Sequence, residues 1–255
     1  MSKAQCRTLL RSIAAVAVCL GLAAGAAHAQ NASQVTVSVR AGSEKFDRAA
    51  SLDQAVVLGL DTFYGVNKWL SIGPVLALTR PNTNGNDFIS VISYGVLNLG
   101  DTTSFFKASQ PVSVLDAALN VRVQLPGKKL SPYATGGVGG YAMFMDIQSN
   151  RGEKHHTGVS FNVGAGVLYA LSDRAGLTAD IRSTTYTDYD RVALDPRFQG
   201  APILGGFILP QSKVEQTLFA ENFKPAPKAK STVTNFTFAF GFSYVPAFFG
   251  AGGGQ

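Results

Sequence analysis

The residues best suited to chemistry are few. His155 and His156 stand side by side in the run RGEKHH, beside Glu153 and Lys154. A metal site needs ligands that converge on one ion, and adjacent side chains seldom do. The run reads as a solvated loop, with a weak metal or pH-sensitive contact as the alternative. Histidine-assisted hydrolysis needs a nucleophile, or several acids, beside the base. No such signature accompanies the pair, so no enzymatic activity is expected. Residues 137–142 (GVGGYA) satisfy a dinucleotide-binding spacing, and Gly164–Gly166 nearly do. Such glycines bind pyrophosphate only where a strand opens into a helix. Here they lie inside strand patterns, so no nucleotide, cofactor or metal is expected.

A different chemistry is carried by charges set among small residues. Arg40, Asp61, Asp116, Arg122, Asp180 and Arg182 each sit in a stretch where apolar side chains alternate with small or polar ones. Three acids and three arginines can neutralise one another if the fold brings them together. In an apolar setting they must, because isolated buried charges are very costly.

The elements that would position them are β-strands, whose successive side chains point to opposite faces. The plainest case is 232–245, where Phe236, Phe238, Phe240, Phe242 and Tyr244 alternate with Thr237, Ala239, Gly241 and Ser243. The same period recurs at 34–42, 53–64, 69–80, 112–125, 158–170 and 176–187. A Gly-rich run at 130–143 makes the eighth strand, though its faces are not assignable. Connections alternate in length. Gly65–Lys68, Pro126–Lys129 and Ser172–Ala175 are tight and polar; 43–52, 81–111, 144–157 and 188–231 are longer. Short turns on one side and long loops on the other describe an up-and-down barrel of the outer-membrane type. Residues 87–100 (DFISVISYGVLNLG) are also apolar. A ninth strand would leave an antiparallel ring unable to close, so they read as a short helix or small hairpin in the second long loop. Two extra strands, making ten, are the alternative.

The faces decide the solvent. A water-soluble barrel would show Thr237, Ala239, Gly241 and Ser243 outside, with their counterparts Ser71, Gly73, Ala77, Thr79, Ser160, Asn162, Gly164 and Gly166. Those positions carry no lysine or glutamate. Turned inward they suit the narrow lumen of an eight-stranded barrel, which side chains can fill. The fold class is therefore all-β: an eight-stranded antiparallel transmembrane barrel with short periplasmic turns and long external loops. Phe161, Phe236, Phe238, Phe240 and Phe242 are expected to face lipid. Arg40, Asp61, Asp116, Arg122, Asp180 and Arg182 are expected in the lumen as a paired, pore-plugging network, so that Asp116→Ala should lower thermal stability. Tyr64, Trp69, Tyr133, Tyr141, Tyr169, Tyr186 and Tyr244 are candidates for interfacial girdles, ordinary strand composition being the alternative.

The N-terminus carries Lys3, Arg7 and Arg11, then an apolar run from Ile13 to Ala27, then Ala27-His28-Ala29. That order reads as a secretory signal peptide over 1–29, leaving 30–255 as the barrel domain. The apolar run is short for a membrane span, which needs about 20 residues. Both cysteines, Cys6 and Cys19, fall in this leader, so no disulfide is expected. Removing its three basic residues from 22 leaves 19 against 16 acids, too small an excess to suggest nucleic-acid binding.

The runs SPYATGGVGGY (131–141), FNVGAGVLYALSDRAGLTADIR (161–182) and NFTFAFGFSY (235–244) resemble the OmpA-like outer-membrane β-barrel family. The likeness is strongest in the C-terminal half. It implies a bacterial outer-membrane location, contact with outer-membrane lipid and lipopolysaccharide, and insertion by the outer-membrane assembly machinery. Two departures stand out. The chain continues past its last strand as AFFGAGGGQ instead of ending on an aromatic residue, and no peptidoglycan-binding domain follows. The expected role is structural or surface-interacting, with partners met through loops 81–111 and 188–231. Lys213, Lys224, Lys228 and Lys230 of the second loop are suited to lipopolysaccharide phosphates. The alternatives are a narrow porin-like channel for ions or small solutes, and a site for an apolar ligand.

Overall fold

The computed structural model describes residues 34–96, 100–127, 129–146, 154–195, 202–203, 206–208 and 228–246, with 90–96, 100–106, 202–203 and 206–208 described by backbone alone. The expected leader lies outside these residues, as do Lys213 and Lys224.

Eight strands close into a barrel: β1 (Val35–Lys45), β2 (Ala55–Gly65), β3 (Leu70–Thr79), β6 (Val112–Gln124), β7 (Leu130–Met145), β8 (His155–Ala170), β9 (Ala175–Thr187) and β12 (Thr232–Tyr244). Each pairs antiparallel with its neighbours, and β1 lies between β12 and β2 to complete the ring. Closure leaves no open edge, the condition for strands to cross lipid. Register gives the polarity. Val35 faces Tyr64 and Val37 faces Tyr244, so the ends of the described chain share one rim with the tight turns. Those turns are built by side chains accepting from backbone. Asn67 Oδ1 accepts from the amides of Trp69 (2.8 Å) and Leu70 (2.9 Å), and Ser172 Oγ from that of Ala175 (3.1 Å).

The alternation of the sequence becomes a division between outside and inside. Leu60, Leu76, Leu119, Val163, Ile181 and Phe240 point out, whereas Ser38, Ser71, Asn120, Ser160 and Thr237 are buried. Pro74 interrupts the ladder. It has no N–H to give, and the pairing of β2 with β3 lapses between Asp61↔Val75 and Tyr64↔Ile72.

Among its described residues the segment 87–100 contributes mainly the first strand of a hairpin within the second long loop. It supplies β4 (Ile89–Val96), whose antiparallel partner β5 (Gly100–Lys107) lies almost wholly beyond it. The polar run DTTS at the start of β5 hides a strand that, among the described residues, pairs with its neighbour β4 in the same loop. Two short strands of the last long loop, β10 (Pro202–Ile203) and β11 (Gly206–Ile208), add to β4, so a four-stranded sheet ordered β10-β11-β4-β5 joins both long loops outside the barrel. The expected histidine loop is also shorter than the sequence suggests, because β8 begins at His155.

Candidate functional site

The lumen is the site. Even positions of β1 and β8, and odd positions of β2 and β3, point inward, and the inward side chains meet in layers. Next to the tight-turn rim, the Ser38 and Ser243 hydroxyls are 2.7 Å apart. Above them the Arg122 guanidinium lies between two rings, 3.9 Å from the Phe63 centroid and 4.5 Å from that of Tyr133. Such stacking suits a buried guanidinium.

The next layer is ionic. Asp61, 1% exposed, accepts from Arg40 Nε at 3.0 Å and from the Arg182 guanidinium, with Arg122 at 3.8 Å. Arg182 Nε donates to Asp180 at 3.1 Å, and the Tyr133 hydroxyl donates to Asp180 at 3.1 Å. Five of the six charges expected in the lumen thus form one connected cluster. The sixth, Asp116, is buried but makes no ion pair among the described residues, and its Oδ2 has no hydrogen-bond partner there. Its removal therefore cannot disconnect the cluster.

Glycine makes room for these groups. Arg40 is flanked by Gly59 on β2 and Gly241 on β12. A Cβ at Gly59 would lie 2.6 Å from Arg40 Nε. A Cβ at Gly166 would meet the Tyr133 ring at 2.6 Å, and one at Gly158 the Tyr141 ring at the same distance. Three of the expected girdle residues are in consequence internal. Tyr133, Tyr141 and Tyr186 are buried in the lumen, with Tyr133 and Tyr141 lying over cross-strand glycines. Tyr64, Trp69 and Tyr169 are exposed on the outer face near the tight-turn rim, and Tyr244 is half-buried there.

At mid-height Asn120 and Asn162 exchange amide hydrogen bonds of 2.6 and 3.1 Å. A feature outside the sequence reading is Glu44, buried where β1 continues three residues beyond the expected end. It keeps the parity of Ser38 and Arg40, which is the signal that marks it as internal.

The long-loop end is apolar. Val112, Val114, Met143, Met145, Tyr141, Tyr186 and Val233 face inward there and pack with Phe46, Ala49, Ala50 and Leu52 of the first loop, Phe88 of the second, and Tyr189 and Leu194 of the fourth. Two 3₁₀ turns hold these loops down. Asp47 Oδ1 accepts from Ala49 N at 2.9 Å to cap Arg48–Ala50, and Asp190 Oδ1 accepts from Val192 N at 2.8 Å to cap Arg191–Leu194. The buried Tyr189 hydroxyl donates to Ala50 O at 2.6 Å and ties the turns together. Burial pushes this phenol well above its usual pKa. Asp87 forms a two-pronged pair with Arg48, and its carboxylate raises that guanidinium further. His156 is committed to this cap. Its Nε2 donates to Asp188 O at 2.9 Å, and its ring meets Tyr141 and Tyr189.

On the outer face Phe161, Phe236, Phe238 and Phe240 are exposed, Phe240 by 61%, and the Phe238 and Phe240 rings meet edge-on at 4.9 Å. Phe242 is half-buried.

A closed ring of strands with apolar side chains outside and an ionic, aromatic filling inside defines an integral membrane β-barrel. The chain belongs to the outer membrane protein beta-barrel domain family, whose model matches residues 14–244. Its location is accordingly the bacterial outer membrane. No curated protein matches it. Among solved structures it is similar to Neisserial surface protein A (11% identity, 82% of this chain and 96% of that one, TM-score 0.47). It is also similar to the outer membrane protein OprG of Pseudomonas aeruginosa (14% identity, 85% and 98%, TM-score 0.40). A third is the outer membrane protease OmpT of Escherichia coli (10% identity, 84% and 79%, TM-score 0.33).

Proposed function

We propose that this barrel is a non-conducting, non-catalytic anchor that presents its long loops at the cell surface. The observation that carries the reading is the double closure of the lumen. An apolar cap drawn from three loops fills the outer mouth, and the Asp61-centred ion cluster crosses the barrel beneath it. An ion entering from outside would first have to displace Phe46, Leu52, Phe88 and Leu194. The sheet that unites loops 81–111 and 188–231 supports a surface role, since it gives both loops one ordered framework for a partner. A non-catalytic role is consistent with His156 being held by a backbone carbonyl and two tyrosine rings. Insertion by the outer-membrane assembly machinery and contact of the loop lysines with lipopolysaccharide phosphates belong to the same proposal.

Planar-bilayer recording tests it. The purified protein is expected to give no stable unitary steps. Reproducible stepwise conductance refutes the anchor reading and favours a narrow channel.

A further inference from the structure

The buried charges of the lumen do not cancel. Three arginines (Arg40, Arg122, Arg182) face four carboxylates (Glu44, Asp61, Asp116, Asp180), each at most 7% exposed. Asp61 and Asp180 are matched to the arginines by the contacts above. Glu44 and Asp116 are not. Among the described residues neither forms an ion pair with a cationic group. Both line one cavity of about 20 Å³, between the ion cluster and the apolar cap. That is room for one small occupant. The hydroxyl-bearing side chains of Thr184, Tyr186 and Thr237 line it as well. Asp116 is 7% exposed and its Oδ2 has no hydrogen-bond partner among the described residues, and the buried Ser160 hydroxyl also lacks one there.

We propose that this cavity is a monovalent cation site, with Glu44 and Asp116 as charged ligands and the lining hydroxyls as neutral oxygen donors. Hard alkali cations take oxygen ligands of this kind. One such ion cancels the single excess negative charge, whereas a divalent ion would overshoot it. Uncompensated, that charge would sit in a narrow lumen closed at its outer end, where desolvation is expensive. The arginines lining the same cavity do not replace the ion, because Arg40 and Arg182 are already turned to Asp61 and Asp180. This site goes beyond the anchoring role and does not depend on it.

The test is the thermal midpoint of the purified protein in detergent at fixed ionic strength, comparing potassium or sodium chloride with the chloride of N-methyl-D-glucamine, a cation too large for the cavity. Small cations should raise the midpoint by about 3–6 °C, the size expected for one site filled at roughly ten times its Kd. Asp116→Asn, isosteric and uncharged, should abolish that difference, and Glu44→Gln should do the same. Rubidium should give an anomalous peak between the two carboxylates in crystals. Equal midpoints in all three salts overturn the proposal, as does a cation effect that survives in Asp116→Asn. A midpoint insensitive to cation identity but rising on acidification also overturns it, because a proton would then balance the charge.

Discussion

Asp61→Asn is the substitution to which the lumen should be most sensitive. It keeps shape and removes the carboxylate on which three guanidinium groups converge. A unit-charge pair about 4 Å apart is worth roughly 4 kcal/mol at an effective dielectric of 20. Three such attractions exceed the several kcal/mol of desolvation needed to bury one carboxylate. Without Asp61, Asp180 is, among the described residues, the only carboxylate still paired with an arginine of the cluster, and Arg40 loses its one ion-pair partner there. Breaking a buried ionic cluster from one side costs about 3–5 kcal/mol. At about 2–4 °C per kcal/mol for a domain of this size, the midpoint should fall by about 6–20 °C. The assay is the temperature at which the folded barrel loses its faster gel mobility, repeated as urea unfolding in lipid vesicles followed by the fluorescence of Trp69. A double-mutant cycle with Arg182→Gln should show coupling of about 0.5–3 kcal/mol. A midpoint within a degree of wild type, or strict additivity in the cycle, refutes a stabilising role for the cluster.

Two further outcomes follow from the faces of β12 and from the cap. Phe240→Arg puts a cation on the lipid face and should cost about 2–4 kcal/mol in vesicles if the position is near mid-membrane; unchanged urea stability there contradicts the outward assignment of that column. Tyr189→Phe leaves the Ala50 carbonyl buried without its donor, a loss of about 1–3 kcal/mol. Since 1.4 kcal/mol is tenfold in an equilibrium, protease cleavage of the external loops should accelerate by roughly tenfold, and an unchanged digestion rate means that this bond does not hold the cap.

The strands were legible because a barrel wall has two unlike solvents and so writes a strict period of two. In β2, β3, β6, β8, β9 and β12 that contrast identifies both strand and face. It failed in β7, where Gly136, Gly137, Gly139 and Gly140 place glycine on both sides and erase the alternation. The tyrosines failed for a related reason. An aromatic residue signals an interface by type, but its parity decides where it points. Tyr186 shares parity with Asp180 and Arg182, and Tyr133 and Tyr141 need the glycines of a neighbouring strand, Gly166 and Gly158, to make room for them. The lumen charges could be found because a charge inside an alternating apolar strand is conspicuous. Glu44 was missed because β1 runs past its apolar stretch into SEK. The cap left no local trace. It is assembled from Phe46, Leu52, Phe88 and Leu194, apolar residues of three loops far apart in the chain, and nothing in their spacing tells that they meet.

Such a lumen needs a reason beyond stability, since buried ion pairs are weak evidence of stabilisation and can often be replaced by apolar packing. Register supplies one. Sliding β2 by one residue against β1 would exchange the faces of Asp61 and Leu60, turning a carboxylate toward acyl chains. A charge at the centre of the bilayer costs at least about 2.5 kcal/mol. Sliding by two would keep the faces but move Gly59 away from Arg40, and a β-carbon-bearing neighbour would enter the space now filled by the guanidinium. The same logic holds between β7 and β8, where Tyr133 fits over Gly166 and Tyr141 over Gly158, eight residues apart along each strand. An apolar filling would tolerate either slip with little penalty. Charges and rings matched to glycines across the strand do not, so the groups that close the lumen also fix which residues of this barrel meet lipid.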